Sequence, residues 1–196
     1  MTDTITGIHD FWFGELDKDG LCKTDRNALW FGADEATDTR CRALFGASLA
    51  LAQSGKLDSW ESTDRGLIAL VVLLDQFSRN IHRGTVHAFG GDPKALALAQ
   101  DAIASGRHLR LPLIHRVFLY LPLEHSEELV LQNQCVALFE ELALVSDHPQ
   151  LTSFTRYARA HRDVIAKFGR FPHRNAALER SSSPAEIAYL EQHGGF

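Results

Sequence analysis

The sequence is short of the residues that mark a secreted, membrane-borne or metal-stapled chain. It has three cysteines in 196 residues, and Cys22, Cys41 and Cys135 are odd in number and far apart. With no Cys-x-x-Cys, neither a disulfide framework nor a zinc ribbon is supported. The most apolar run, residues 67–74, is far shorter than the roughly 20 residues that cross a bilayer, so no membrane partner is expected. Met1-Thr2-Asp3-Thr4-Ile5-Thr6-Gly7 lacks the basic and apolar regions of a signal peptide, which predicts a cytoplasmic protein. Sustained two-residue alternation rich in β-branched residues is missing, which argues against a sheet. A basic excess is missing as well: the net charge is -5, and no nucleic-acid partner is expected. The ten histidines include no His-x-x-x-His and no His-Glu-x-x-His, so no metal or other cofactor is expected. No Gly-x-Ser-x-Gly elbow or P-loop is present, and His161-Arg162-Asp163 has no Gly-rich nucleotide loop to make it a kinase signature.

What is present is an ordinary globular composition, 45% hydrophobic and 23% charged, in a length suited to one domain over residues 1–196. Residues 66–83 organise the chain. Residues 67–74 contain no polar side chain, and a helix apolar all round is a buried one. Asp75, Arg79, Asn80, His82 and Arg83 follow where that helix leaves the core. The basic charge gathers at the C-terminal end, where residues 156–196 hold seven bases against four acids.

Helical period and capping signals divide the rest. Residues 5–13 form a short amphipathic segment anchored by Ile8, Phe11 and Trp12, with Gly14 as its stop. Trp30, Phe31 and Gly32 echo Trp12, Phe13 and Gly14, and both aromatic pairs read as core anchors. Residues 34–54 read as a helix with Leu44, Ala47, Ala50 and Leu51 inward. Ser59, Ser62 or Thr63 caps the central helix. Asp92-Pro93 reads as an N-cap acid followed by Pro at the first helical position. Further helices run from Leu111-Pro112 to about Pro122, from Ser126 to Ser146 with Leu129, Val136, Phe139 and Leu142 inward, and from Gln150 to Phe168, ending at Gly169. In that last helix Tyr157, Ala158, His161, Ile165 and Phe168 share one stripe. Ser183-Pro184 opens a final helix, and the chain frays at Gly194-Gly195-Phe196. The expected fold is all-α, with about eight or nine helices, many of them antiparallel neighbours.

Four strings occur in order along nearly the whole chain: Asp10-Phe11-Trp12-Phe13-Gly14-Glu15, Leu74-Asp75-Gln76-Phe77-Ser78-Arg79-Asn80-Ile81, Tyr120-Leu121-Pro122-Leu123-Glu124-His125-Ser126-Glu127 and Phe168-Gly169-Arg170-Phe171-Pro172-His173-Arg174-Asn175. Together they resemble the bacterial domain of unknown function 924 family. Ser78 stands where that family commonly has Pro, which lowers the rigidity expected of a turn there. The resemblance implies an all-helical fold similar to tetratricopeptide-repeat proteins, a right-handed array of antiparallel helix pairs. It implies no activity.

Asp75 and Arg79, four apart on a helix, are spaced to pair. Arg79-Asn80 and Arg174-Asn175 each follow a Phe-containing turn, and converging arginines make an anion site. Glu124-His125, in a helix–helix linker, offers a carboxylate and an imidazole for acid–base chemistry or for a cap. The leading reading is a pocket lined by Arg79, Asn80, Glu124, His125, His161, Arg170, His173 and Arg174, holding an anionic small molecule or a peptide carboxylate. In this reading Arg79 and Arg174 approach one polar cleft. A second reading is an enzyme using Glu124 or a pocket histidine as acid–base. A third is a structural or protein-interaction scaffold whose arginines only brace helix ends.

Overall fold

The computed structural model describes residues 4–195; residues 1–3 and Phe196, part of the expected fray, lie outside them. The described residues form nine helices and no strand, the one extended pairing being an isolated bridge between Leu16 and Cys22. The chain divides into two compact units, Met1–Arg83 with His87–Pro122, and Gly84–Val86 with Leu123–Phe196.

The first unit is built on the predicted central helix. Thr63 caps it by accepting from the Gly66 amide, and Asp64 adds a favourable acid to its first turn. The helix runs as α4 (Asp64–Val71), a π-helical stretch Val72–Phe77, and α5 (Ser78–Ile81) without a break. Every residue from 66 to 78 is buried. Periodicity predicts the burial but not the π turn, and it is this turn that corrects one reading. Arg79 and Asn80 follow no turn; they lie on the helix itself, and Ser78 is helical, donating through Oγ to the His87 carbonyl over 3.1 Å. A π turn widens the ladder and leaves a carbonyl to be satisfied from outside it. The Asp75 carbonyl accepts from Arg79 Nη1 at 2.7 Å.

Around this helix, α1 (Thr4–Trp12) and α2 (Asn27–Phe31) supply aromatic side chains. Trp12 lies edge-on to Phe77 (5.1 Å between ring centroids) and to Phe118 (5.7 Å), and Phe45 stacks on Phe77 at 4.7 Å. Trp30 donates its indole N–H to the Trp12 carbonyl at 2.9 Å. Three of the four expected aromatic anchors are buried, whereas Phe31 is 56% exposed.

In α3 (Glu35–Gln53) Asp34 is the N-cap, but the inward stripe is Asp38, Cys41, Phe45, Leu49 and Ala52. Leu44 is 55% exposed and Leu51 40%. The helix carries two apolar stripes at helical spacing. Phe45, the larger payload, and the pairing of Asp38 with Asn80 and Arg83 decide which one faces inward.

α6 (Asp92–Ala104) has Pro93 in its first turn, yet Gly91 rather than Asp92 is the N-cap. Asp92 instead takes Arg79 in a two-pronged pair at 2.8 and 3.0 Å. A Cβ on Gly91 would fall onto the Leu74 carbonyl, so only glycine lets α6 begin this close to the π turn. α7 (Leu113–Glu124) belongs to the first unit up to Pro122.

In the second unit, α8 (Leu129–Val145) and α9 (Pro149–Phe168) form an antiparallel pair. Only three residues join them, so the chain must reverse; Thr155 Oγ1 donates to the Phe139 carbonyl at 3.1 Å, and Arg159 reaches Glu140. Val136, Phe139 and Leu142 face inward as expected, whereas Leu129 is 44% exposed at the first position of α8. Ala158, His161 and Ile165 are the buried members of the α9 stripe, and Tyr157 is 49% exposed at its edge. Gly169 ends α9 in the left-handed conformation at φ 69°. Ser183 caps α10 (Pro184–His193) in a reciprocal box with Glu186.

Two measurements check this fold. Leu70 is fully buried, so Leu70→Asp places an unpaired charge in the core and should abolish soluble, helical protein on expression. His115 is buried against Phe13 (4.6 Å) and His9 (4.9 Å), and burial, aided by the charges of His9 and Arg65, pushes its pKa down to about 3. The unfolded histidine, near 6.5, takes up a proton first. Its contribution to stability is therefore complete above pH 6.5 and is lost as the pH falls from there toward 3. Urea unfolding should show His115→Phe losing about 1–2 kcal/mol less than wild type between pH 6.5 and 5.

Candidate functional site

Of the eight predicted site residues, Arg79 and Asn80 belong to the first unit, and both are engaged there. Arg79 joins Asp75 at 3.1 Å as well as Asp92. Burial works against its charge, but the two carboxylates outweigh it and raise its pKa. Asn80 donates its amide to Asp38 at 2.8 Å, tying α5 to α3. Arg83 shares that carboxylate.

The other six lie in the second unit; three of them meet one ring, and two more adjoin His161. Phe171 is fully buried, in the short connection after Gly169. The Arg174 guanidinium sits over its face at 4.5 Å, a cation–π arrangement. His161 meets the ring at 5.6 Å and His173 at 5.6 Å, while His125 lies 6.3 Å from His161. Glu124, the last residue of α7 rather than part of a linker, places Oε1 3.2 Å from His161 Nδ1. Arg174, His161 and Glu124 are all buried, whereas His125 and His173 are half-buried.

Local structure explains why these residues converge. On α9 the helical period turns His161 inward with Ala158 and Ile165. After Gly169 the chain reverses, and Pro172 starts a 3-10 turn, Pro172–Arg174, that carries His173 and Arg174. Two residues outside the predicted site set hold this turn. Glu127 and Arg180 form a two-pronged pair at 2.7 and 2.9 Å. Glu127 also accepts the Phe171 amide at 2.8 Å, and Arg180 donates to the Phe171 carbonyl at 3.2 Å and to Asn175 at 3.0 Å. Burial raises the Glu127 pKa, but Arg180 and the Phe171 amide overcome it and leave it lowered. Glu127 stands in one of the four strings noted above, whereas Arg180 carries no sequence signal.

Arg170, the sixth residue, is committed elsewhere. It grips Glu186 at 2.6 and 2.9 Å and the Ser181 carbonyl at 2.9 Å. Arg170, and then the Ser183 amide, hold the Glu186 carboxyl far below its usual range. Glu186 is thus the buried residue of α10, covered by its own capping partners.

The cluster holds groups of both signs, since the Glu124 carboxyl stands beside His161 and the Arg174 charge acts on Glu127. Burial pushes the His161 pKa down to about 3, and His125, Arg174 and His173 push the same way, against the bond to the Tyr157 carbonyl. His161 is a neutral imidazole whose Nδ1–H points at Tyr157 O (2.9 Å) and Glu124. Among the described residues no three His, Cys, Asp or Glu side chains are grouped to hold a metal ion, and no helix is long and apolar enough to cross a membrane.

Comparison with known proteins bears on the fold and the family. A solved structure of a protein of unknown function, ATU0120 from Agrobacterium tumefaciens, is 36% identical, with a TM-score of 0.79 over 96% of this chain and 97% of that one. No curated protein matches the chain. The model of the family described as bacterial protein of unknown function (DUF924) matches residues 8–194, and the chain belongs to that family.

Proposed function

We propose that the chain binds a small anion or a peptide carboxylate at the Phe171 cluster, with Arg174 as the principal cation and His125, His161 and His173 as polar lining. One observation carries this reading. Arg174 is buried on the Phe171 ring, and its positive charge is felt at His161. Such a site favours negative charge. Arg79 and Arg170 are left out of the binding set because Asp92 and Glu186 take them in two-pronged pairs. A cytoplasmic setting fits the three cysteines, none of which forms a disulfide.

A second reading is supported by the Glu124–His161 contact. A carboxylate facing Nδ1 fixes the tautomer and aims Nε2 outward, the arrangement of a general base. The low pKa of His161 makes it a weak base at neutral pH, so binding is the better-supported function.

Phosphate, citrate and malonate should each be added to wild-type protein during thermal unfolding. A bound anion at a hundredfold excess over its Kd stabilises by about 2.7 kcal/mol, which is read as a rise in Tm. Arg174→Ala should remove most of that rise. An anion response unchanged in Arg174→Ala would discard this site and favour the bracing role. Turnover of an anionic substrate that is lost in Glu124→Gln, with the Tm response retained, would replace the binding reading by the enzymatic one.

A further inference from the structure

The first unit contains a buried arginine of a different kind. Arg116, on α7, is 7% exposed. Three less buried arginines each meet a carboxylate: Arg79 meets Asp75 and Asp92, Arg107 meets Asp64, and Arg180 meets Glu127. Among the described residues no Asp or Glu carboxylate lies in ion-pair range of Arg116, and its one side-chain hydrogen bond runs from Nε to the Tyr120 hydroxyl at 3.3 Å. Tyr120 is fully buried, and its Oη lies 2.6 Å from Nδ1 of His108, itself 6% exposed.

A guanidinium cannot shed its proton to escape burial. A phenol oxygen supplies one acceptor and no negative charge, so no counter-charge of the fold lies in ion-pair range of this cation among the described residues. The fork is nevertheless oriented. Nε–H donates to Tyr120 Oη, which leaves the phenol proton to go to His108 Nδ1 and places the remaining imidazole proton on Nε2. With Nε occupied, the edge formed by Nη1 and Nη2 stays open. Neither nitrogen is among the polar atoms sealed from solvent without a partner. Two parallel N–H donors on a fixed plane match the two oxygens of a carboxylate or phosphate group.

We infer that Arg116, oriented by Tyr120 and His108, is an oxyanion-binding residue of the first unit, taking the carboxylate or phosphate group of a small molecule on its Nη edge. This inference does not rest on the Phe171 cluster.

The test uses the full chain in Tris chloride free of oxyanions. Crystals soaked in selenate should show an anomalous peak in hydrogen-bond range of the Arg116 Nη atoms, and Arg174→Ala crystals should show the same peak. Thermal unfolding titrated with malonate and, separately, inorganic phosphate identifies which class of oxyanion binds more tightly. Arg116→Met should melt no lower than wild type without anion, because a buried uncompensated charge has gone. Its affinity for the preferred anion at this site should fall at least tenfold. Arg116→Lys keeps the charge but lacks the fork, and should show a similar loss, which covers the case in which the Met variant fails to fold. A Met variant that melts lower in the absence of anion, with its anion response intact, would show that Arg116 only braces the helix. Absence of the selenate peak at Arg116 would overturn the inference whatever is seen at Arg174.

Discussion

A helix buried on every side has no water to repair a fault in its ladder. That constraint governs the first unit. Residues 66–78 are all buried, and the π turn Val72–Phe77 is such a fault. The Asp75 carbonyl is met by Arg79, which brings a charge into the core region with it. Asp75 and Asp92 balance that charge. Because Asp92 is the first residue of α6, the electrostatic repair also docks the next helix, and Gly91 leaves the space in which it docks. Backbone geometry, ion pairing and helix packing meet at this one widened turn.

The elements most visible in the sequence were those whose signals do not depend on distant partners. The apolar run at 67–74, the cap at Thr63, the stop at Gly169 and the Ser183-Pro184 start are local, and all stand where expected. Helix faces were less legible. In α3 two apolar stripes obey the same period, and the choice between them rests on Phe45 and on Asp38, whose partners Asn80 and Arg83 come more than 40 residues later. The π turn left no mark either, since a continuous apolar run reads the same with i→i+4 or i→i+5 bonds. The all-helical class and the family were legible because four separate strings agree in order.

For the candidate site, residue type was a better guide than pairing. His161, His173 and Arg174 meet the Phe171 ring in the second unit, and Glu124 and His125 adjoin His161. Arg170 and Arg79 have the same chemistry and similar positions, yet Glu186 and Asp92 claim them. Arg170 lies 16 positions from its acid and Arg79 lies 13 from Asp92, so no rule of helical neighbours reveals either pair. The positioning pair Glu127–Arg180, 53 positions apart, is still further out of reach of local reasoning.

The distribution of arginines carries a last step. A protein with fifteen arginines and a net charge of -5 has enough acids to neutralise each one. Asp64 alone serves two, and Arg110 and then Arg107 hold its carboxyl down to about 2. Against that supply, a buried guanidinium whose side-chain partner is a phenol departs from the pairing seen at Arg79, Arg107 and Arg180. Departures of this sort concentrate where a fold gives up stability for a site, because an unpaired charge in the interior is removed readily by substitution unless a ligand completes it. Arg116 meets that description through its missing acid. Arg174 is the second buried arginine, set over the Phe171 ring beside His161, which burial keeps neutral. At Arg116 the positive charge stays fixed and the phenol beside it supplies none of opposite sign, which is the condition for an incoming anion to find an undiluted field.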